Sequence, residues 1–171
     1  MARGSTYGDL SAPKVELRSA HNGPELHQLR TIIREYAASL GVDLCFQDFD
    51  AEMAQLPGEY TLPRGALLSA WVNGELAGCC ALRPLDSADY PVACEMKRLY
   101  VRPAYRGLHL GRQLTEAIMD AARNLGYQHV LLDTMSELEA ARALYEDLGF
   151  KEIPPYYFNP IPGVHYLMAE I

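Results

Sequence analysis

At 171 residues, with 49% hydrophobic and 22% charged side chains, the chain has the length and composition of one folded domain, which excludes a disordered polymer. Twenty-two acidic against fifteen basic residues leave a formal charge of −7. That balance argues against sequence-independent binding to nucleic acid or anionic lipid, because both reward a net basic surface.

No apolar run reaches the ~20 residues that a membrane-spanning helix needs, so no membrane partner is expected. Residues 1–14 are small and polar and read as a flexible tail without a secretory leader, ahead of one domain over 15–171. Cys45, Cys79, Cys80 and Cys94 form no C-x-x-C pair. They read as reduced, buried small hydrophobes, which points to no metal and to a cytoplasmic location.

Val15-Glu16-Leu17-Arg18 alternates apolar and polar residues like a half-buried strand. Pro24 then opens a helix whose apolar face is Leu26, Leu29, Ile32, Ile33, Tyr36, Ala37 and Leu40, and Gly41 stops it. A weaker helix is expected within Asp50 to Leu56. Leu67–Val72 and Glu75–Leu85 read as a hairpin about the tight turn Asn73-Gly74. Cys94–Val101 is the next strand, closed by Pro103, and Gly111–Leu125 is a helix capped by Gly126. His129–Met135 is a strand. Ser136-Glu137-Leu138-Glu139 reads as a capping box that starts a helix running to Leu148. Lys151–Ile153 and His165–Ile171 complete the set, around a loop rich in Pro and Tyr. The order β-α-α-β-β-β-α-β-α-β-β predicts an α/β (α+β) layered domain with a mixed sheet flanked by four helices.

Between Glu95 and Arg112 the charge reverses. Lys97, Arg98, Arg102, Arg106 and Arg112 oppose Glu95 alone, a local +4 in an acidic chain. A strand, a turn with Gly107 and Gly111, and a helix start together offer backbone N–H groups, a helix dipole and arginines, which suits a phosphate. A solvated basic turn is the other reading of the same residues. A Walker loop is excluded because no G-K-[ST] follows, and the dinucleotide fingerprint is absent.

Arg106-Gly107-Leu108-His109-Leu110-Gly111-Arg112, after Leu99-Tyr100-Val101-Arg102-Pro103, resembles motif A of the GNAT N-acetyltransferases, which binds the pyrophosphate of acetyl-CoA. Ala143-Leu144-Tyr145-Glu146-Asp147-Leu148-Gly149-Phe150 resembles the family's second signature, a helix ending Leu-Tyr-x-x-x-Gly-Phe. The element order follows the family from Val15 to Ile171, with a mixed, mostly antiparallel sheet of six to seven strands. Two residues depart from the pattern. His109 stands where the motif usually has Gly, and Leu138 where many members carry Asn.

The resemblance implies an acetyl-CoA-dependent N-acetyltransferase working by direct attack of a primary amine in a ternary complex. The backbone of Leu99 and Val101 would hold the pantetheine arm, and the Val101 amide would polarise the thioester carbonyl. The N–H groups of Gly107, Leu108, His109, Gly111 and Arg112, with Arg106 nearby, would face the pyrophosphate. Tyr145 falls where the family's general acid lies, and its alternative is a core tyrosine. Glu95, six residues before Val101, would share a strand face with it by alternation. It reads either as the base some relatives place there or as a partner for Lys97 or Arg98.

For the acceptor, residues 35–63 hold six carboxylates (Glu35, Asp43, Asp48, Asp50, Glu52, Glu59) and no Lys or Arg. They form either an acidic lip that favours a cationic amine or a solvated face. Phe46, Phe49, Tyr156, Tyr157 and Phe158 could wall an apolar part of the acceptor, pack the core, or meet a second copy in a homodimer. His165 is a proton relay or, more simply, structural. Against the enzyme stand a CoA-binding sensor without turnover and a domain that keeps only the fold.

Overall fold

The computed structural model describes residues 12–20, 23–41, 43–44, 48–135 and 138–171. Seven strands and four helices follow in the expected order: β1 (Val15–Ser19), α1 (Gly23–Ser39), α2 (Phe49–Gln55), β2 (Ala66–Val72), β3 (Glu75–Pro84), β4 (Ala93–Val101), α3 (Leu110–Asn124), β5 (His129–Met135), α4 (Glu139–Asp147), β6 (Lys151–Ile153) and β7 (Val164–Glu170). They build one sheet in the order β1-β2-β3-β4-β5-β7-β6. Every neighbouring pair is antiparallel except β4 and β5. The β2–β3 turn has φ of 49° at Asn73 and 83° at Gly74. Two consecutive left-handed residues make the turn whose twist matches a hairpin, which is why Asn-Gly signals it.

Helix α4 begins later than the capping box implies. Its N-cap is Leu138, without a side-chain cap, and Ser136 and Glu137 lie outside the described residues, as do Cys45 and Phe46.

The apolar faces read from the sequence become two cores, one on each side of the sheet. Leu29, Ile32 and Ile33 of α1 and Met53 of α2 pack with Trp71, Leu76, Cys79 and Ala81. On the other face Leu110, Leu114, Ile118 and Met119 of α3 and Tyr145 of α4 pack on Ala70, Cys80, Leu82, Met96, Val130 and Leu132. Leu85, Ala93 and Leu131 form a third cluster with Tyr156 and Met168, beneath the loop that joins β6 to β7.

Two irregularities position the site. β4 and β5 pair over only three residues, Ala93–His129, Cys94–Val130 and Glu95–Leu131, after which the strands part. Next, Tyr100 pairs with Cys79 and Lys97 with Ala81, so Arg98 and Leu99 together oppose Cys80. The extra residue is a β-bulge, with Arg98 left-handed at φ 61°. Its carbonyl accepts the Cys79 thiol, Sγ to O 3.2 Å. Its guanidinium is bound to Glu52 and lies 5.4 Å from the Phe49 ring centroid.

Candidate active site

The bulge divides β4 into two addresses. Before it, Met96 points into the α3/α4 core and Glu95 to the α1/α2 side. After it, Leu99 and Val101 pack against the α3/α4 core and Tyr100 against the other. The side chains of Glu95 and Val101 therefore lie on opposite faces, which corrects the alternation argument. One inserted residue moves every later side chain to the other face.

Beyond Val101 a short 3-10 turn (Pro103–Tyr105) leads to Gly107 at φ 93°, His109 at φ 59° and then α3. The first turn of α3 has N–H groups without intrahelical acceptors and carries the positive end of the dipole. The fold does not require glycine at position 111. A Cβ there would meet only Leu144 Cδ2, at an ordinary 3.8 Å, while a glycine within a helix costs roughly 1 kcal/mol. A bare backbone at that place suits close approach by a phosphate. His109 occupies the left-handed region that glycine favours, so its imidazole sits on a strained backbone.

The local +4 is largely cancelled, by carboxylates outside the stretch from Glu95 to Arg112. Arg98 pairs with Glu52 at 3.0 Å, Arg102 with Glu35 at 2.8 Å, and Arg112 with Glu116 and Asp147. Lys97 lies 3.8 Å from Glu95. Among the described residues Arg106 is the one of the five without an ion pair, and its Nε donates to the Val101 carbonyl at 3.3 Å. The same pairs, together with Arg83–Glu59 at 3.1 Å, neutralise Glu35, Glu52 and Glu59 of the acidic stretch. Three carboxylates of the acidic lip thus meet Arg83 of β3, Arg98 of β4 and Arg102 just beyond it.

Glu95 is 1% exposed. Its Oε1 accepts Arg83 Nε at 2.7 Å and its Oε2 accepts the Tyr156 hydroxyl at 2.6 Å. Burial works to raise its pKa, but Lys97, Arg83 and the Tyr156 hydroxyl outweigh burial and hold it below the usual glutamate range. Burial lowers the Lys97 ammonium, against the pull of Glu95. Glu95 floors a groove of about 470 Å³ whose rim includes Asp48, Glu52, Glu59, Arg83 and Lys97.

A second cavity, of about 90 Å³, opens where β4 and β5 part. Lys97 lines both spaces, and the second is also bounded by Tyr36, Leu99, Asp133, Leu138, Tyr145 and Asn159. Tyr145 packs edge-on to Phe150, with centroids 5.6 Å apart. Its hydroxyl makes no hydrogen bond among the described residues. No buried side-chain oxygen or nitrogen among them lacks a partner, so this hydroxyl opens onto the cavity. Burial raises the phenol well above its ordinary value, and it stays protonated, a donor, throughout the physiological range. His165 Nδ1 lies 2.8 Å from Glu152 Oε1 on the neighbouring strand, away from both spaces.

Two groups that the motifs do not mark sit in this cavity, Asp133 and Tyr36. Asp133 interrupts the apolar run Val130-Leu131-Leu132, and a carboxylate in such a strand is the signal that finds it. Its Oδ2 accepts the Tyr157 hydroxyl and, at 3.3 Å, Asn159 Nδ2. Burial pushes the Tyr36 phenol up to about 12.

The sequence model of the acetyltransferase (GNAT) family matches residues 26–150. An N-acetyltransferase of Schizosaccharomyces pombe, itself uncharacterised, is 42% identical over 86% of this chain and 89% of its own length. An acetyltransferase from Streptococcus agalactiae superposes with a TM-score of 0.73 at 26% identity, covering 92% of this chain and 98% of that one. An acetyltransferase from Salmonella typhimurium, solved with its cofactor acetyl-CoA, has the same fold at a TM-score of 0.63 and 22% identity, covering 91% and 93%.

Proposed function

The chain belongs to the GNAT acetyltransferase family and is an acyltransferase, and from that premise we propose that it moves the acetyl group of acetyl-CoA directly to a primary amine within a ternary complex. The observation that carries this reading is the opening between β4 and β5, which passes through the sheet and has the Tyr145 hydroxyl on its wall.

The amine enters from the α1/α2 side and the thioester lies along the uncovered edge of β4. The backbone of Leu99 and Val101 holds the pantetheine arm as an added strand would, and the Val101 N–H polarises the carbonyl. The N–H groups of Gly107, Leu108, His109, Gly111 and Arg112 receive the pyrophosphate, with Arg106 beside them. That assignment is supported by the bare backbone at Gly111 and by Arg106 being free of acidic partners among the described residues.

Tyr145 protonates the departing thiolate. Burial raises the phenol, and the same environment raises a thiolate placed beside it, so donor and acceptor stay matched. Glu95 is the fixed negative charge of the acceptor groove. With both oxygens occupied it holds Arg83, Lys97 and Tyr156 in place along the path to the cavity. The working compartment is reducing, a reading supported by Cys79, Cys80 and Cys94, which are free and buried.

The test has two parts. Acetyl-CoA alone at about 100 times its Kd should stabilise the protein by roughly 2.7 kcal/mol, read as a rise in melting temperature. A panel of primary amines should then release free CoA thiol only when acceptor and enzyme are both present. Absence of a thermal shift at millimolar acetyl-CoA overturns the reading.

A further inference from the structure

The structure assigns the proton from the acceptor nitrogen to Asp133, with Tyr157 and Asn159 as the residues that position it. This rests on the acetyltransfer reading above and names the group that completes it. Three observations carry it.

Asp133 lies on β5 just past the last residue pairing with β4, so the opening is at its side. In that strand Leu131 packs on the side covered by the β6–β7 loop, whereas Leu132 belongs to the α3/α4 core. By alternation Asp133 shares the face of Leu131, the face from which an amine arrives, while Tyr145 stands on the other. An acid and a base are thereby placed on opposite sides of one opening, as transfer between two substrates requires. Finally, the two carboxylates of the region are not equivalent. Both oxygens of Glu95 are taken at 2.7 and 2.6 Å. Asp133 has both its hydrogen bonds on Oδ2. Its Oδ1 has no partner among the described residues, and since no buried oxygen is left unpaired there, Oδ1 opens onto the cavity.

The step balances as follows. The lone pair of a neutral primary amine forms the N–C bond at the thioester carbonyl. Asp133 Oδ1 takes the proton that this nitrogen can no longer hold. The C–S bond breaks with its electron pair going to sulfur, and sulfur takes the Tyr145 proton. Solvent then returns the proton from the Asp133 carboxyl to the Tyr145 phenolate. Among the described residues the charged and titratable groups facing Asp133 are Tyr36 from α1, Lys97 from β4, Tyr145 from α4, Tyr156 and Tyr157 from the β6–β7 loop, and Tyr166 from β7.

The experiment compares wild type, Asp133→Asn and Tyr157→Phe with an amine that the wild type acetylates, alongside calorimetric binding of acetyl-CoA. Asp133→Asn should lower kcat by about a hundredfold or more, with the Kd for acetyl-CoA within twofold. Tyr157→Phe removes one of the two hydrogen bonds that hold Asp133 Oδ2 and leaves the carboxylate in place but less firmly aimed. Its kcat should fall less, by about threefold or more, with the KM for the amine nearly unchanged. Should Asp133→Asn fail to fold, that split of kcat against KM decides the matter, because a merely structural role would not produce it. Asp133→Asn with kcat within about threefold of wild type, or Tyr157→Phe with kcat unchanged, overturns the assignment while leaving acetyltransfer standing. A wild type that acetylates no amine and shows no thermal shift with acetyl-CoA overturns the acetyltransfer reading, and this assignment with it.

Discussion

The two sides of the parted strands are built by different means. On the α3 side the elements proposed to face the donor are contiguous: β4, a short turn and the first turn of α3 follow within residues 93–112. Their chemistry is backbone chemistry, set by local conformation. On the α1/α2 side nothing is contiguous. Glu52, Arg83, Glu95, Arg98, Asp133 and Tyr156 come from five segments and meet only in the folded chain. A backbone site survives most side-chain changes, whereas a network of side chains loses all its partners when one is removed.

The contrast can be broken most directly at Arg98. Its side chain is 4% exposed and its partner Glu52 is 17% exposed, so Arg98→Ala strands a carboxylate that also accepts the Tyr60 hydroxyl. Chemical denaturation should show a loss of about 3 kcal/mol or more. A loss below about 1 kcal/mol would mean that α2 and β4 are held together by apolar packing alone. Tyr145→Phe comes next. Its kcat should fall roughly ten- to a thousandfold with acetyl-CoA affinity unchanged, and unaltered turnover under chemistry-limited conditions would make Tyr145 a packing residue.

Glu95→Gln sharpens the comparison through pH. The folded-state pKa of Glu95 lies below its ordinary value of 4.5. Its charge therefore contributes stability above that value, and the contribution is lost as pH falls through the folded pKa. The stability gap between wild type and variant should narrow below pH 4.5, as followed by thermal melts across pH 3–7. A gap of constant size would exclude the network as the source. The smallest effect belongs to the backbone side. His109→Gly relieves a left-handed residue worth about 1–2 kcal/mol but loosens the unfolded chain by roughly 0.5–1 kcal/mol. The variant should gain at most about 1.5 kcal/mol and bind acetyl-CoA within tenfold of wild type at pH 8. A clear loss of stability would show that the imidazole contributes a contact of its own.

This difference in construction also decides what could be read before the chain was folded. The hydrophobic period of α1, the Asn73-Gly74 turn, the strand at His129–Met135 and the basic turn before α3 are local patterns, and the structure places them where the sequence puts them. The bulge is not local in that sense. Lys97-Arg98-Leu99 contains no glycine to announce a left-handed residue, so alternation ran through it and set Glu95 on the wrong side of Val101. Charge could be counted but not paired, since the carboxylate that neutralises Arg102 is 67 positions away. Asp133 was visible only as an acid in an apolar strand, and its meaning depends on where β5 leaves β4.

The bulge also constrains how the length of this segment can vary. Substitutions between residues 96 and 100 change one side chain each. Deleting Arg98 would give β3 and β4 one continuous ladder in which Leu99, Tyr100 and Val101 keep the partners and faces they have now, at the expense of the guanidinium bound to Glu52. Deleting Tyr100 instead would leave the bulge in place and turn Val101, with everything that follows it, toward α1. For this stretch of β4 the position of a length change matters more than its size.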